Sequence, residues 1–208
     1  MPRPGRPEDA EAVAEVYLAV WRVHGQELRG GHSVSAEAEA TRQPELGGEA
    51  LREQADRFGG FLQTRERQFL VADAPASGAG SGLGGFVSYG PSYTRAGYGE
   101  VMQLYVHPEW QGRGIGSSLL VEAWAAMAQE SWASSGSHVW CTKGNPANRV
   151  YEKAGWAPTG REKSLQPSLS ASLVEVCEYC APAARPPSAA SSASGRLRGC
   201  AAAAAALV

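Results

Sequence analysis

Leu104-Tyr105-Val106-His107-Pro108-Glu109-Trp110-Gln111-Gly112-Arg113-Gly114-Ile115-Gly116 is the stretch whose reading decides the fold. Glu100 to Val106 has the apolar content of a strand, and His107-Pro108 ends it. After the glycines, Ile115, Leu119, Leu120, Ala123 and Met127 recur at helical spacing and form one stripe. A strand, a glycine-rich turn and a helix, in that order, suit a phosphate group. The first N–H groups of a helix lack a partner within it, and the helix dipole adds partial positive charge there. Gly112, Gly114 and Gly116 let the backbone approach phosphate oxygens, and Arg113 adds a charge-assisted contact.

Other readings of this turn compete. A Walker A loop is excluded, because no Gly-Lys-Ser/Thr closes it. A dinucleotide fingerprint fits badly: Ser117 stands where its third glycine belongs, and Val139 to Lys143 does not end in an acid. Taken alone, the turn is equally a device that only eases a tight connection.

Working outward, Glu8 to His24 reads as a helix with Ala10, Val13, Val16, Tyr17, Val20 and Trp21 on one face and Asp9 as cap or first-turn acid. A less regular helical stretch spans about 36–62, broken near Gln43-Pro44 and Gly47-Gly48. Gln68 to Ala72 and Gly84 to Tyr89 read as strands joined through a flexible tip that begins at Pro75. Ser137 to Thr142 reads as a strand, Asn148 to Ala154 as a short helix closed by Gly155, and Leu173 to Tyr179 as the last strand. The order defines an α/β or α+β fold with a β–α–β crossover over 101–142.

The chain has 208 residues, room for one domain with a real core. Its formal charge of −2 gives no electrostatic reason to expect nucleic acid or an anionic membrane as partner. No apolar run approaches the ~20 residues a membrane span needs. Beyond Cys180 the composition turns to Ala, Pro, Ser, Gly and Arg, so residues 1–180 are the expected domain and 181–208 a disordered tail. Met1 to Asp9 has no apolar stretch of a secretory signal, so Cys141, Cys177, Cys180 and Cys200 are expected as thiols in a cytoplasmic setting. Cys177 and Cys180 have zinc spacing, but in a strand they point to opposite faces, and His24, His32, His107 and His138 are scattered; no metal is expected. His107 shapes a turn, and Trp21 and Trp110 are candidates to line an acceptor cleft.

With Leu104 to Pro108 before the turn and Asn145 to Trp156 after it, the chain resembles the GNAT superfamily of acetyltransferases. That family has Gln/Arg-x-x-Gly-x-Gly/Ala between its fourth strand and third helix, which Gln111, Gly114 and Gly116 match in full. Arg6 to Ala10 and Trp21-Arg22 are similar to its opening turn and first helix. The likeness covers about 1–180 and is specific over about 100–156. It implies a mixed, mainly antiparallel sheet of about six strands flanked by helices. Only Met1-Pro2 precedes Arg3, so the family's first strand is expected to be truncated or absent.

The resemblance also implies a chemistry: an amine attacks the thioester of acetyl-CoA, the cosubstrate, directly in a ternary complex. Backbone groups of Leu104, Tyr105 and Val106 would hold the pantetheine arm, and one amide there would polarise the carbonyl. Gln111, Gly112, Arg113, Gly114, Ile115, Gly116 and Ser117 would hold the pyrophosphate. Glu100 stands where many members carry the base, although a solvated strand-end carboxylate is an equal reading. Tyr151, in Asn148 to Trp156, matches the family's general acid, with an ordinary pKa of about 10 suited to a thiolate. Asn145 lies one residue nearer Tyr151 than the family's asparagine, so either Asn145 or Asn148 meets the cofactor. The acceptor is expected to be a small-molecule amine rather than a protein, and the protein a monomer or homodimer. A catalytically silent acyl-CoA-binding module is the alternative, which intact Glu100 and Tyr151 disfavour.

Overall fold

A computed structural model describes residues 1–27, 48–64, 67–75, 82–165 and 173–183. In chain order its strands are β1 (Arg3–Pro4), β2 (Gln68–Asp73), β3 (Leu83–Pro91), β4 (Tyr98–Val106), β5 (Gly136–Thr142), β6 (Ala157–Leu165) and β7 (Val174–Ala181). The helices are α1 (Ala10–Glu27), α2 (Gly48–Thr64), α3 (Ile115–Met127) and α4 (Arg149–Lys153). The seven strands form one sheet in the order β1-β2-β3-β4-β5-β7-β6. Every neighbouring pair is antiparallel except β4 and β5, which the crossover through α3 makes parallel.

The sheet agrees with the expected mixed, mainly antiparallel one, and the two end strands bring its count to seven. The first strand is truncated but present: Arg3 and Pro4 pair with Val71 and Leu70 of β2. Arg3 gains a bidentate grip on Asp9, with Nη1–Oδ2 and Nη2–Oδ1 both at 2.8 Å, while Asp9 Oδ2 also accepts from the Arg6 backbone N–H at 2.8 Å. Asp9 thus caps the entry to α1 and ties down the edge strand at once. The Arg3 hydrogen bonds hold its carboxyl below the usual range. The strand that sequence periodicity does not show is β6: its residues are almost all exposed at the sheet edge, so no apolar alternation marks them. β7 runs to Ala181, one residue past the expected domain end. The proposed tail beyond 183, the loop tip at 76–81 and the helical stretch before Gly48 lie outside the described residues.

Alternation along the strands sorts the core into two layers. Val87, Val101, Leu104, Val139 and Cys141 pack with Leu119, Leu120, Ala123, Trp124 and Met127 of α3 and with Tyr151 of α4. On the opposite face Phe69, Val71, Phe86 and Tyr105 pack with Val13, Val16, Tyr17 and Val20 of α1 and Phe58 of α2. Burying a side chain such as Leu119 contributes about 1.5–3 kcal/mol. Helix α3 sits close to the start of β3 because Gly84 and Gly85 place no side chains between them. A Cβ on Gly84 would lie 3.0 Å from Ile115 Cδ1, and one on Gly85 would lie 2.7 Å from the Tyr105 carbonyl oxygen.

Candidate active site

The parallel ladder between β4 and β5 is short. It runs from Tyr98 opposite Gly136 to Val101 opposite Val139 and then stops. Beyond it, Gln103 to Val106 pair only with Ser88 to Gly85 of β3, and Trp140 to Thr142 only with Glu178 to Val176 of β7. The cause is local: Ser88 opposes Gln103 and Tyr89 opposes Val101, so Met102 is an extra, unpaired residue. Such a bulge bends its strand and raises the local twist. A wedge therefore opens between the two strands, and the edge of β4 along Gln103 to Val106 faces it.

Both strands point the same way, so their following turns flank the wedge's wide end. After β4, Gly112 and Gly114 take left-handed backbone angles, φ +73° and +84°, that favour glycine. Gly112, Arg113 and Gly114 are exposed. Among the described residues, the backbone N–H groups from Gly112 to Ser117 have no acceptor; the first bonded one is Ser118, which donates to the Gly114 carbonyl at 3.0 Å. Gly114 and Ile115 thus open α3 with a row of free donors. Gln111 is placed differently: its Nε2 donates to the Val106 carbonyl at 3.0 Å, bracing the turn against the strand end. Arg113 lies over the Trp110 ring, Cζ 4.6 Å from its centroid, at the rim.

After β5 stand the two asparagines. Asn145 Oδ1 accepts from the Ala147 N–H at 2.8 Å, which leaves its amide Nδ2 without a partner among the described residues. Asn148 is buried; its Nδ2 donates to the Thr142 carbonyl at 2.9 Å, and its Oδ1 has no partner. Asn145 therefore keeps a free donor and Asn148 a free acceptor.

Tyr151 is 1 % exposed and its hydroxyl has no hydrogen-bond partner among the described residues. Its ring packs against Trp156 and Tyr179 at centroid distances of 5.9 and 5.8 Å. Burial pushes its pKa well above 10, with Cys141 and Tyr105 adding to the shift. The hydroxyl thus stays protonated at neutral pH. Tyr105 packs on the other face of the sheet, and burial raises its pKa well above 10 too.

Glu100 lies at the closed end of the wedge, on the face opposite Val101. It is 3 % exposed, so it is no solvated strand-end carboxylate. Its Oε2 accepts from Ser92 Oγ at 2.8 Å and lies 3.5 Å from His138 Nε2. His138 and Glu178 are both fully buried, with Nδ1 3.2 Å from Glu178 Oε1. Burial lowers the His138 pKa and outweighs the two carboxylates, so the imidazole is neutral at pH 7. Burial pushes Glu178 up, but the Thr159 hydroxyl at 2.8 Å and Arg95 Nη1 at 3.0 Å outweigh it and hold it ionised. Sequence reasoning missed Ser92 and Glu178 and discounted His138. The signal was present: a histidine beside Val139 and Trp140, and a glutamate beside Tyr179, are polar residues inside otherwise apolar strands. Cys177 packs at the α3 face while Cys180 accepts from Arg95 on the other, so the two thiols do point apart.

Residues 65–158 match the family described as acetyltransferase (GNAT) domain. The wedge between β4 and β5 and the glycine turn both lie inside that match, so residues 65–158 carry a GNAT-type acetyltransferase domain. Solved structures share the fold. The ribosomal-protein-alanine N-acetyltransferase of Brucella melitensis is 16% identical with a TM-score of 0.59, over 88% of this chain and 99% of that one. Arabidopsis thaliana NAA60 in complex with acetyl-CoA is 13% identical with a TM-score of 0.57, over 88% and 97%. A spermidine N-acetyltransferase chimera from Vibrio cholerae and hSSAT is 16% identical with a TM-score of 0.55, over 88% and 96%. Comparison with curated protein sequences gives no match. Among the described residues, no helix is long and apolar enough to cross a membrane.

Proposed function

We propose that the protein transfers the acetyl group of acetyl-CoA to a primary amine by direct attack in a ternary complex. The observation that carries this reading is the wedge beyond Val101 and Val139, with a buried carboxylate on one face and the unpartnered Tyr151 hydroxyl packed from the other. The free amides of Gly112 to Ser117 grip the pyrophosphate, with Arg113 at its rim. The edge of Leu104 to Val106 holds the pantetheine arm, and a backbone N–H there polarises the thioester carbonyl. Asn145 donates its free amide to the cofactor.

Glu100 takes a proton from the bound ammonium, freeing the nitrogen lone pair. The new N–C bond forms at the carbonyl carbon, the C–S bond breaks, Tyr151 gives its proton to the departing thiolate, and the second proton the nitrogen sheds on becoming an amide restores the Tyr151 hydroxyl. The acceptor is a small-molecule amine, since no acidic patch in the sequence suits a basic protein tail. The reaction belongs in the cytoplasm, where Cys141, Cys177 and Cys180 remain the free thiols they are in this structure. Calorimetric titration with acetyl-CoA, followed by release of CoA thiol over a panel of amines, tests this reading. Micromolar binding and Glu100-dependent transfer are expected; failure to bind acetyl-CoA would overturn it.

A further inference from the structure

The buried cluster behind Glu100 is larger than the proposed reaction uses. Ser92 follows β3, and its Oγ accepts from the backbone N–H groups of Thr94 at 3.2 Å and Arg95 at 3.1 Å. An ionised carboxylate can only accept, so the hydroxyl's single proton goes to Glu100 Oε2 at 2.8 Å, a much shorter contact than the 3.4 Å to Thr94 Oγ1. His138 Nε2 touches the same Oγ at 2.7 Å. With the hydroxyl proton already given to Glu100, the nitrogen must be the donor in that contact. His138 is therefore the Nε2–H tautomer, and Nδ1 carries the lone pair. Nδ1 lies 3.2 Å from Glu178 Oε1 and makes no hydrogen bond to it.

Resting on the proposed role of Glu100, we infer that Ser92 and His138 are positioning residues that clamp the base. His138 Nε2–H donates to Ser92 Oγ, and Ser92 Oγ–H donates to Glu100 Oε2. One carboxylate oxygen is fixed by this chain. The other, Oε1, has no partner among the described residues and is the oxygen left to receive the amine's proton. The remaining charged groups around the imidazole are accounted for. Arg95 on the turn is bound to Glu178 and lies over the Tyr98 ring, with Cζ 3.7 Å from its centroid. Tyr98 meets the imidazole edge at 6.2 Å. From β6, Arg161 reaches Glu178 at 3.4 Å, and Lys163 Nζ lies 4.0 Å from the Trp140 ring centroid. None of these donates to Glu100, although Lys163 attracts it through space and His138 Nε2 lies 3.5 Å from it; Ser92 supplies its hydrogen bond among the described residues.

Nitrogen NMR of the full chain with labelled histidine tests the clamp without any ligand. We expect His138 as the neutral Nε2–H tautomer at pH 7, and a mixed tautomer in Ser92→Ala. An Nδ1–H tautomer in the unmodified protein, or a spectrum that Ser92→Ala leaves unchanged, would overturn the inference. In transfer to the amine the panel returns, Ser92→Ala and His138→Leu should lower kcat about tenfold with the KM for acetyl-CoA unchanged. His138→Gln, which keeps an N–H donor, should recover activity to within about threefold of the unmodified enzyme. No recovery in a folded His138→Gln protein that retains the KM for acetyl-CoA would also sink the clamp. The reading of Glu100 as base fails separately, if Glu100→Gln transfers at the normal rate.

Discussion

Val101 opposes Val139, and this pair is the last rung between β4 and β5. One residue further the bulge at Met102 turns β4 away, and the two strands close their ladders with β3 and β7 instead. The gap is therefore built into the pairing register. It does not depend on a ligand to hold it open, because each strand keeps a partner on its far side. A β-strand edge presented to a gap is a template for an extended ligand to pair with.

This geometry predicts a footprint for the cosubstrate. Hydrogen exchange measured with and without acetyl-CoA should slow in two peptides, Gln103 to Val106 and Gly112 to Ser117, while β2 and β6 stay unchanged. Protection confined to other segments would show that the ligand binds elsewhere.

Gly114 offers a sharper probe of the turn. A Cβ at this position would meet nothing within 4 Å, so Gly114→Ala introduces no clash. It does place alanine at φ +84°, which costs about 1–2 kcal/mol. A turn that rotates to relieve this strain moves its amides off the pyrophosphate. Recovering the binding conformation then weakens acetyl-CoA by about 5- to 30-fold. Titration calorimetry on the variant reads this directly, and an unchanged Kd would argue that the turn does not hold the ligand.

Tyr151→Phe should separate chemistry from stability. Loss of a general acid lowers kcat about 10²- to 10⁴-fold, while acetyl-CoA affinity is kept because only the hydroxyl is removed. That hydroxyl is buried with no partner among the described residues, so removing it relieves a desolvation penalty. The variant should melt at the same temperature as the unmodified protein or higher. A large drop in Tm would mean the hydroxyl is structurally engaged, and an unchanged kcat would remove it from the reaction.

The fold was legible in the sequence wherever burial wrote a period. Val13, Val16, Tyr17 and Val20 mark α1, Leu119, Leu120, Ala123 and Met127 mark α3, and both sets are buried as the spacing implies. β6 was illegible for the same reason, since Ala157 to Leu165 faces solvent at an edge and bears no pattern. The glycine turn was readable because its shape depends on residue type at fixed offsets. The surroundings of Glu100 were not, because Ser92, His138 and Glu178 come from three separate elements and meet only when the sheet forms. Gln111 shows a further limit: its place in the motif suggests a ligand contact, but nothing in the motif shows that its Nε2 also donates to the Val106 carbonyl.

His138 gives the stability of the protein a predictable pH dependence. Burial lowers its pKa in the folded state, against the pull of Glu100 and Glu178 and with Arg95 and Lys163 acting in the same direction as burial. In the unfolded chain a histidine titrates at about 6.5. Above that pH neither state holds the proton and the group is neutral in its effect. As the pH falls through about 6.5, the unfolded chain binds a proton that the folded state refuses, so stability declines by at most about 1.4 kcal/mol per pH unit. The decline levels off once the pH passes below the folded-state value. Glutamine cannot titrate, so His138→Gln should remove this component of the slope. Thermal melts at intervals between about pH 8 and pH 5 should show Tm falling more steeply for the unmodified protein than for the variant. Parallel curves would mean that His138 binds its proton equally well folded and unfolded, and that its burial is not the dominant influence on its charge.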